Sequence, residues 1–245
     1  MSLDRFSAQA AAYARFRIDY PAALYEWLLP LVPGRQRAWD CATGNGQVAV
    51  VLAAYFAEVE ATDLSANQLG QAPVRSNIHY QVARAEHTPF SGRAFDLITV
   101  GQAVHWFCHA DYHREVRRMA RPGAVLAEWG YGLGRISPEI DLLVWHFYRE
   151  VLGPYWDENR WHVDDEYARI PFPFADVQRA HFAEQRRWSA EWYLDYLRTW
   201  SSVQNYQKQH GADPVVLVAE ALAQAWGPGE RAVIFPVFAR AGRVE

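Results

Sequence analysis

Cysteine is nearly absent from this chain of 245 residues: only Cys41 and Cys108 occur. One sits inside an apolar run and the other follows an aromatic pair, which excludes a disulfide framework and a thiolate metal site. A basic excess is missing too. With 24 Lys and Arg against 28 Asp and Glu the net charge is −4, too acidic for sequence-independent phosphate binding, so no nucleic-acid partner is expected. No run of about eighteen apolar residues occurs, and residues 1–6 lack the apolar core of a signal peptide. No membrane association and a reducing cytoplasm are therefore the expectation. The histidines at 109, 113, 146, 162, 181 and 210 show no ligand spacing, and no metal is expected.

Aromatic residues, by contrast, are abundant: 11 Trp, 13 Tyr and 12 Phe in a chain that is 51% hydrophobic. The chain can bury a full core. The concentration of aromatics beyond residue 100 points to an aromatic-lined cavity or a tightly packed cap. Residues 8–16 and 21–31 read as helices, ended by Pro33-Gly34. Short apolar runs at 37–42, 59–62, 78–83, 95–100 and 124–129 then alternate with helical patterns at 47–56, 66–72 and 111–119. That rhythm means right-handed βαβ units and a parallel, doubly wound α/β sheet. Residues 131–174 break it: 138–152 reads as one helix, followed by a loop rich in Trp, Pro and acids. A late strand at 177–187 and helices at 190–209 and 215–226 precede a closing strand at 232–240, where Pro236 predicts an edge or bulged position. The reading is one domain: N-terminal helices (1–34), a ligand-binding core (35–130), a cap insertion (131–175) and a C-terminal part completing the sheet (176–245).

The strongest local signal is Ala38-Trp-Asp-Cys-Ala-Thr-Gly-Asn-Gly-Gln47. Gly44 and Gly46 follow a strand and open a helix, where glycine lets the backbone approach a ligand and the helix start offers free N–H groups. Glycine spacing alone does not separate a nucleotide-type site from a tight turn, and Gly44, Gly46 and Ala49 also satisfy the dinucleotide-binding Gly-x-Gly-x-x-Gly/Ala pattern. Two carboxylates add information. Asp40, in the strand end, needs donors from the loop or a cationic ligand group; it suits the ammonium and sulfonium of S-adenosylmethionine and repels a pyrophosphate. Asp63, ending the next strand, is placed to accept from ribose hydroxyls under either reading.

With these residues the chain resembles class I S-adenosylmethionine-dependent methyltransferases, in particular the small-molecule branch that includes trans-aconitate methyltransferase. The matching segments run in order: 6–20, 40–47, Ala61-Thr-Asp-Leu-Ser65, Ala85-Glu86 with Pro89-Phe90, Phe95-Asp-Leu, Gln102-Ala-Val-His-Trp-Phe107, Arg121-Pro-Gly123 and the closing strand. The resemblance implies a Rossmann-like, mostly parallel seven-stranded sheet with helices on both faces and a helical cap. It also implies S-adenosyl-L-methionine as cofactor, with Gly44 and Gly46 around its methionine part and Asp63 on the ribose. Leu64 and Ala85 would contact adenine, Glu86 its amine, and Gln102 would lie beneath the methionine moiety. Arg84 departs from the family, standing where many relatives carry an acid.

For the acceptor, a small molecule and among others a carboxylate, His105 is the candidate for orienting it or taking its proton. Tyr13, Arg17, Trp106, Trp129, Tyr131 and Trp161 are candidates to line its pocket, and among the cap aromatics Trp156 and Trp161 are favoured over Trp145, which a helical position assigns to the core. Each competes with a plainer role: a packed histidine, a surface arginine, core aromatics. Two other functions stay open at this level: a non-catalytic protein that binds S-adenosylmethionine or S-adenosylhomocysteine, and an NAD-dependent oxidoreductase. Monomer and homodimer are equally compatible.

Overall fold

Every residue of strand β4 (Phe95–Gly101) is buried, as a near-continuous apolar run requires when helices cover both sides of a sheet. The computed structural model describes residue 16 and residues 18–245; Tyr13 and Arg17 lie outside the described residues. Strands β1 (Arg37–Cys41), β2 (Glu58–Asp63) and β3 (Ile78–Val82) lie to one side of β4, and β5 (Ala120–Tyr131), β6 (Ala175–Trp188) and β7 (Arg231–Arg243) to the other. The order is β3-β2-β1-β4-β5-β7-β6. β1 to β5 run parallel, and β7 inserts antiparallel between β5 and β6. The Rossmann-like, doubly wound, seven-stranded sheet is therefore present. Its strand order reverses between β1 and β4, the place outside the carboxyl ends where open α/β sheets bind ligands.

Side chains alternate across each strand, which divides the core in two. Ala38, Leu97, Val125 and Trp129 face one layer, formed by α1 (Ala22–Leu28), α2 (Gln47–Leu52), α5 (Pro138–His146), α7 (Ala190–Arg198), α8 (Ser201–His210) and α9 (Val216–Trp226). Trp39, Ile98 and Leu126 face the other, formed by α4 (His109–Met119) and by Val163, Tyr167 and Ile170 of the segment between β5 and β6. A short α3 (Ala66–Leu69) follows β2, and α6 (Trp161–Asp164) lies in the cap. Among the described residues no helix is long and apolar enough to cross a membrane.

Several boundaries differ from the periodicity. The helix expected over 47–56 stops at Leu52, because the Asn77 side-chain amide donates to the carbonyls of Ala53 (2.9 Å) and Phe56 (3.1 Å) and turns the chain into β2. The helix expected over 66–72 is shorter, though Ser65 caps it as its sequence position predicts, its hydroxyl accepting from Gln68 N–H at 3.2 Å. The expected helix 138–152 widens into a π turn over Phe147–Val151, burying the neighbours Phe147 and Tyr148 together. The expected helix 190–209 breaks at Trp200, whose ring packs on Tyr148, Trp156 and Tyr196.

Pro236 is a correction. Its strand is flanked by β5 and β6 and is not an edge. The Pro236 carbonyl accepts from Gly132 N–H at 3.0 Å, so its nitrogen points to that same side, just past the end of β5 at Tyr131. No ladder bond to β6 is lost there.

One buried ion pair ties the sheet to the cap. Glu128 of β5 and Arg240 of β7 are directly opposed and meet at 2.6 Å with side chains 0% and 2% exposed. Arg240 also donates to the carbonyls of Tyr167 (3.0 Å) and Ile170 (2.9 Å), drawing the chain after α6 onto the sheet.

Candidate active site

The loop from β1 to α2 is built on left-handed backbone: φ is +56° at Ala42, +59° at Gly44 and +83° at Gly46. Asp40 is buried at its base, accepting from the hydroxyls of Thr43 and, at 2.9 Å, Thr99. These hydroxyls give the carboxylate a structural role that the strand pattern did not reveal. Asp63, at the end of β2, accepts from Gly44 N–H (2.9 Å) with one oxygen and from Ser65 N–H (2.8 Å) with the other. It thereby couples the glycine loop to the cap of α3, and Leu64 stands exposed beside it.

Gly46 is a position where only glycine is unstrained. A Cβ there would lie 2.5 Å from the Tyr80 hydroxyl at a φ of +83°. Gly46→Ala is expected to cost about 1–2 kcal/mol, chiefly from the backbone since the tyrosine tip can move. Urea denaturation measures it, and an unchanged midpoint would mean that the loop relaxes freely.

The other switch-point residues converge from β3, β4 and β5. Ala85 is buried. Glu86 accepts from Cys108 N–H at 3.1 Å and stands 3.4 Å from Arg84, so it clamps the loop after β4. Gln102, also left-handed at φ +57°, exchanges hydrogen bonds between its side-chain amide and the Tyr131 backbone (2.8 and 3.2 Å), extending the β4–β5 ladder. A Cβ on Gly101 would meet the Trp129 indole nitrogen at 3.0 Å and the Tyr20 hydroxyl at 3.1 Å. Trp129 and Tyr20 thus converge on the end of β4, ring centroids 5.6 Å apart, with Tyr131 next to Tyr20 at 6.3 Å.

The field here is negative. Burial first, then the charges of Asp40, Asp63, Glu86 and Glu128, push the Cys41 thiol pKa well up. Burial and the Asp40 charge likewise raise the Tyr80 hydroxyl. A sulfonium or ammonium group is stabilised at such a place and a pyrophosphate is repelled.

His105 follows β4 on a 3₁₀ turn, with its ring 4.8 Å from that of Trp106 and its Nδ1 3.3 Å from the Tyr167 hydroxyl. Burial, with the charges of Arg160, His162 and His109, pushes its pKa down to about 3. It is neutral at pH 7 and a weak base, suited to orienting a partner by hydrogen bonding. Such a histidine also makes the fold acid-sensitive. Below pH 6.5 the unfolded chain takes up a proton there that the folded chain refuses, so stability falls from about pH 6.5 toward pH 3. Denaturation at pH 7.5 and pH 5 is expected to differ by up to about 2 kcal/mol more in the wild type than in His105→Phe; parallel slopes would place the acid sensitivity elsewhere.

A cavity of about 510 Å³ opens past the end of β5, against the middle of β7 and between α5 and the α6 segment. Its wall includes Gly132, Arg135, Trp145, Arg149, Asp164 and Phe238. Trp145, expected in the core, is half-exposed and faces this cavity, because the helix register turns it outward. Trp156, favoured as a pocket residue, instead packs inward on Tyr148 and Trp200 and donates its indole N–H to the Tyr148 carbonyl at 3.1 Å. Trp161 is exposed and stands beside the cavity without lining it. Arg135, Arg149, Tyr167 and Phe238 had no signal in the sequence, since they meet only through the packing of the cap on β7.

Comparison with known proteins settles the family. A methyltransferase-domain family model matches residues 39–127. A Dictyostelium discoideum protein named as a methyltransferase is 30% identical over 227 residues, covering 91% of this chain and 86% of its own. The chain belongs to the class I S-adenosylmethionine-dependent methyltransferases. A solved structure described as a type II methyltransferase from Anaeromyxobacter dehalogenans superposes on this methyltransferase with a TM-score of 0.85 at 39% identity, over 93% of this chain and 98% of the other. The fold is shared more distantly with phosphoethanolamine N-methyltransferase 2 of Haemonchus contortus, solved with S-adenosyl-L-methionine (TM-score 0.53, 17% identity, 99% of this chain and 60% of the other).

Proposed function

We propose that this methyltransferase binds S-adenosyl-L-methionine at the β1–β4 switch point and methylates a small-molecule acceptor. The observation that carries the reading is the pair of carboxylates on the left-handed glycine loop, Asp40 bonded to Thr43 and Asp63 to Gly44 N–H, with Glu86 after β3 holding the neighbouring loop that follows β4. Asp63 would hold the ribose hydroxyls, and the backbone of Gly44 and Gly46 the methionine part. Leu64 and Ala85 would flank adenine, with Glu86 nearby. When bound, the cofactor supplies an electrophilic methyl group on a positively charged sulfur. Gln102 and Trp129 shape the floor that aligns an acceptor, and burial of this floor excludes water, which is what a displacement at carbon chiefly needs.

A neutral His105 with a pKa near 3 is a poor proton acceptor. That favours an acceptor whose nucleophilic oxygen arrives already ionised, such as a carboxylate, over one that must be deprotonated in the site. The cavity volume of about 510 Å³ fits a small ligand.

Thermal unfolding with added ligand tests the cofactor. S-adenosylhomocysteine at a hundred times its Kd is expected to add about 2.7 kcal/mol of stability, or several degrees in Tm, while NAD adds nothing. The reverse pattern overturns the proposal in favour of a dinucleotide enzyme. Release of homocysteine in a coupled assay over small acids, phenols and amines then identifies the acceptor class.

A further inference from the structure

Two arginines on the cavity wall, Arg135 and Arg149, form no ion pair among the described residues, although the chain carries 28 acids against 24 Lys and Arg. Arg149 is held by aromatic rings. Its guanidinium carbon lies 4.7 Å from the ring centroid of Trp145 and 4.7 Å from that of Trp161. Trp145 in turn stacks on Tyr148 at 6.0 Å, and the Tyr148 hydroxyl is fixed by the Asp164 carboxylate at 2.9 Å. Contact with ring faces orients a guanidinium but leaves the N–H groups on its edge unspent.

The acids of the same wall are occupied. Asp141 accepts from Ile136 N–H at 2.7 Å, Asp164 from Tyr148 with Arg160 at 3.7 Å, and Glu166 stands 2.7 Å from His181. The N–H donors that the described residues leave on this wall are those of the two guanidinium groups, above an apolar wall of Val144 and Phe238. The inner end adjoins the carboxyl ends of β4 and β5. A Cβ on Gly130 would touch both the Phe238 ring (2.6 Å) and the Gln102 side-chain oxygen (2.7 Å).

We propose that this cavity is an oxyanion site that takes an acceptor with a carboxylate or phosphate on an apolar body, Arg149 and Arg135 holding the anion and Trp145 and Phe238 the body. Calling the occupant the acceptor rests on the methyl-transfer reading above; the oxyanion site does not. An Arg fork binds either anion in bidentate fashion.

The test is a ligand-observed NMR titration of the full chain with phenylacetate, phenyl phosphate and the uncharged phenylacetamide. At least one of the anions is expected to bind about tenfold or more tighter than the amide. Arg149→Gln brings the anions down to the amide's level, and Arg149→Lys recovers only part, because an ammonium lacks both the fork and the stacking. Far-UV circular dichroism serves as the fold control, and the stabilisation of Arg149→Gln by S-adenosylhomocysteine should equal that of the wild type. Equal affinity for amide and anions, no binding of any probe, or indifference to Arg149→Gln each overturns the proposal. If the anions bind through Arg149 while S-adenosylhomocysteine fails to stabilise the wild type, the oxyanion site stands and the methyl-transfer reading falls.

Discussion

Arg240→Met is expected to remove about 3–5 kcal/mol of stability, the cost of leaving one member of a buried ion pair without its partner. Glu128 is wholly buried against Arg240, and burial already pushes its pKa up while Arg240 pulls it down. Without the guanidinium only the upward push remains, and the carbonyls of Tyr167 and Ile170 lose their donor as well. For a chain of this size the loss corresponds to roughly 10 °C in Tm. Two features separate this effect from general loss of packing. The deficit should shrink at low pH: in the variant the folded-state pKa of Glu128 lies above its unfolded value of 4.5, so protonation stabilises the fold and the benefit is lost again as pH rises. The double variant Glu128→Leu with Arg240→Met should recover much of the loss, since both charges are gone. Urea denaturation of the three proteins decides it, and a single variant as stable as wild type would show that the pair fastens nothing.

Asp63→Ala is expected to weaken S-adenosylhomocysteine binding roughly a hundredfold or more. Two hydrogen bonds from ribose to a charged acceptor contribute about 1.5–3 kcal/mol each. The same change leaves Gly44 N–H and Ser65 N–H without their carboxylate, so a loss of stability of about 1–3 kcal/mol without ligand should accompany it. Asp63→Asn divides the two roles: its single side-chain oxygen can accept for one turn but not serve both turns and the ribose. Calorimetric titration reads the affinity and denaturation reads the fold. Unchanged affinity in Asp63→Ala would displace the ribose from the end of β2.

The glycine loop and the acid after β2, proposed above as the cofactor half of the site, were largely legible in the residue order, because they are local. A strand, a glycine turn and a helix start follow one another within 38–47, and an acid ends the next strand at 63. Each contact there lies on adjoining crossovers whose handedness is fixed. The cavity proposed for the acceptor was legible only as an excess of aromatics. Trp145 faces the cavity through the register of α5 against its neighbours, while Trp156 comes after a π turn over Phe147–Val151 that shifts the register in a way helical periodicity cannot show.

The same division holds for the fold. Alternating apolar runs and helical patterns were enough to determine a doubly wound sheet, since a strand apolar on both faces must be covered on both. The interior place of Pro236, the pairing of Glu128 with Arg240 and the meeting of Arg135 and Arg149 on one cavity wall were decided by tertiary structure alone. They depend on which strand lies beside which and on what the cap covers, and those contacts join residues more than a hundred positions apart in the case of the ion pair. Local propensity acts within a turn or a strand; the cost of leaving a buried charge or a cavity wall unpartnered is set only when distant segments meet.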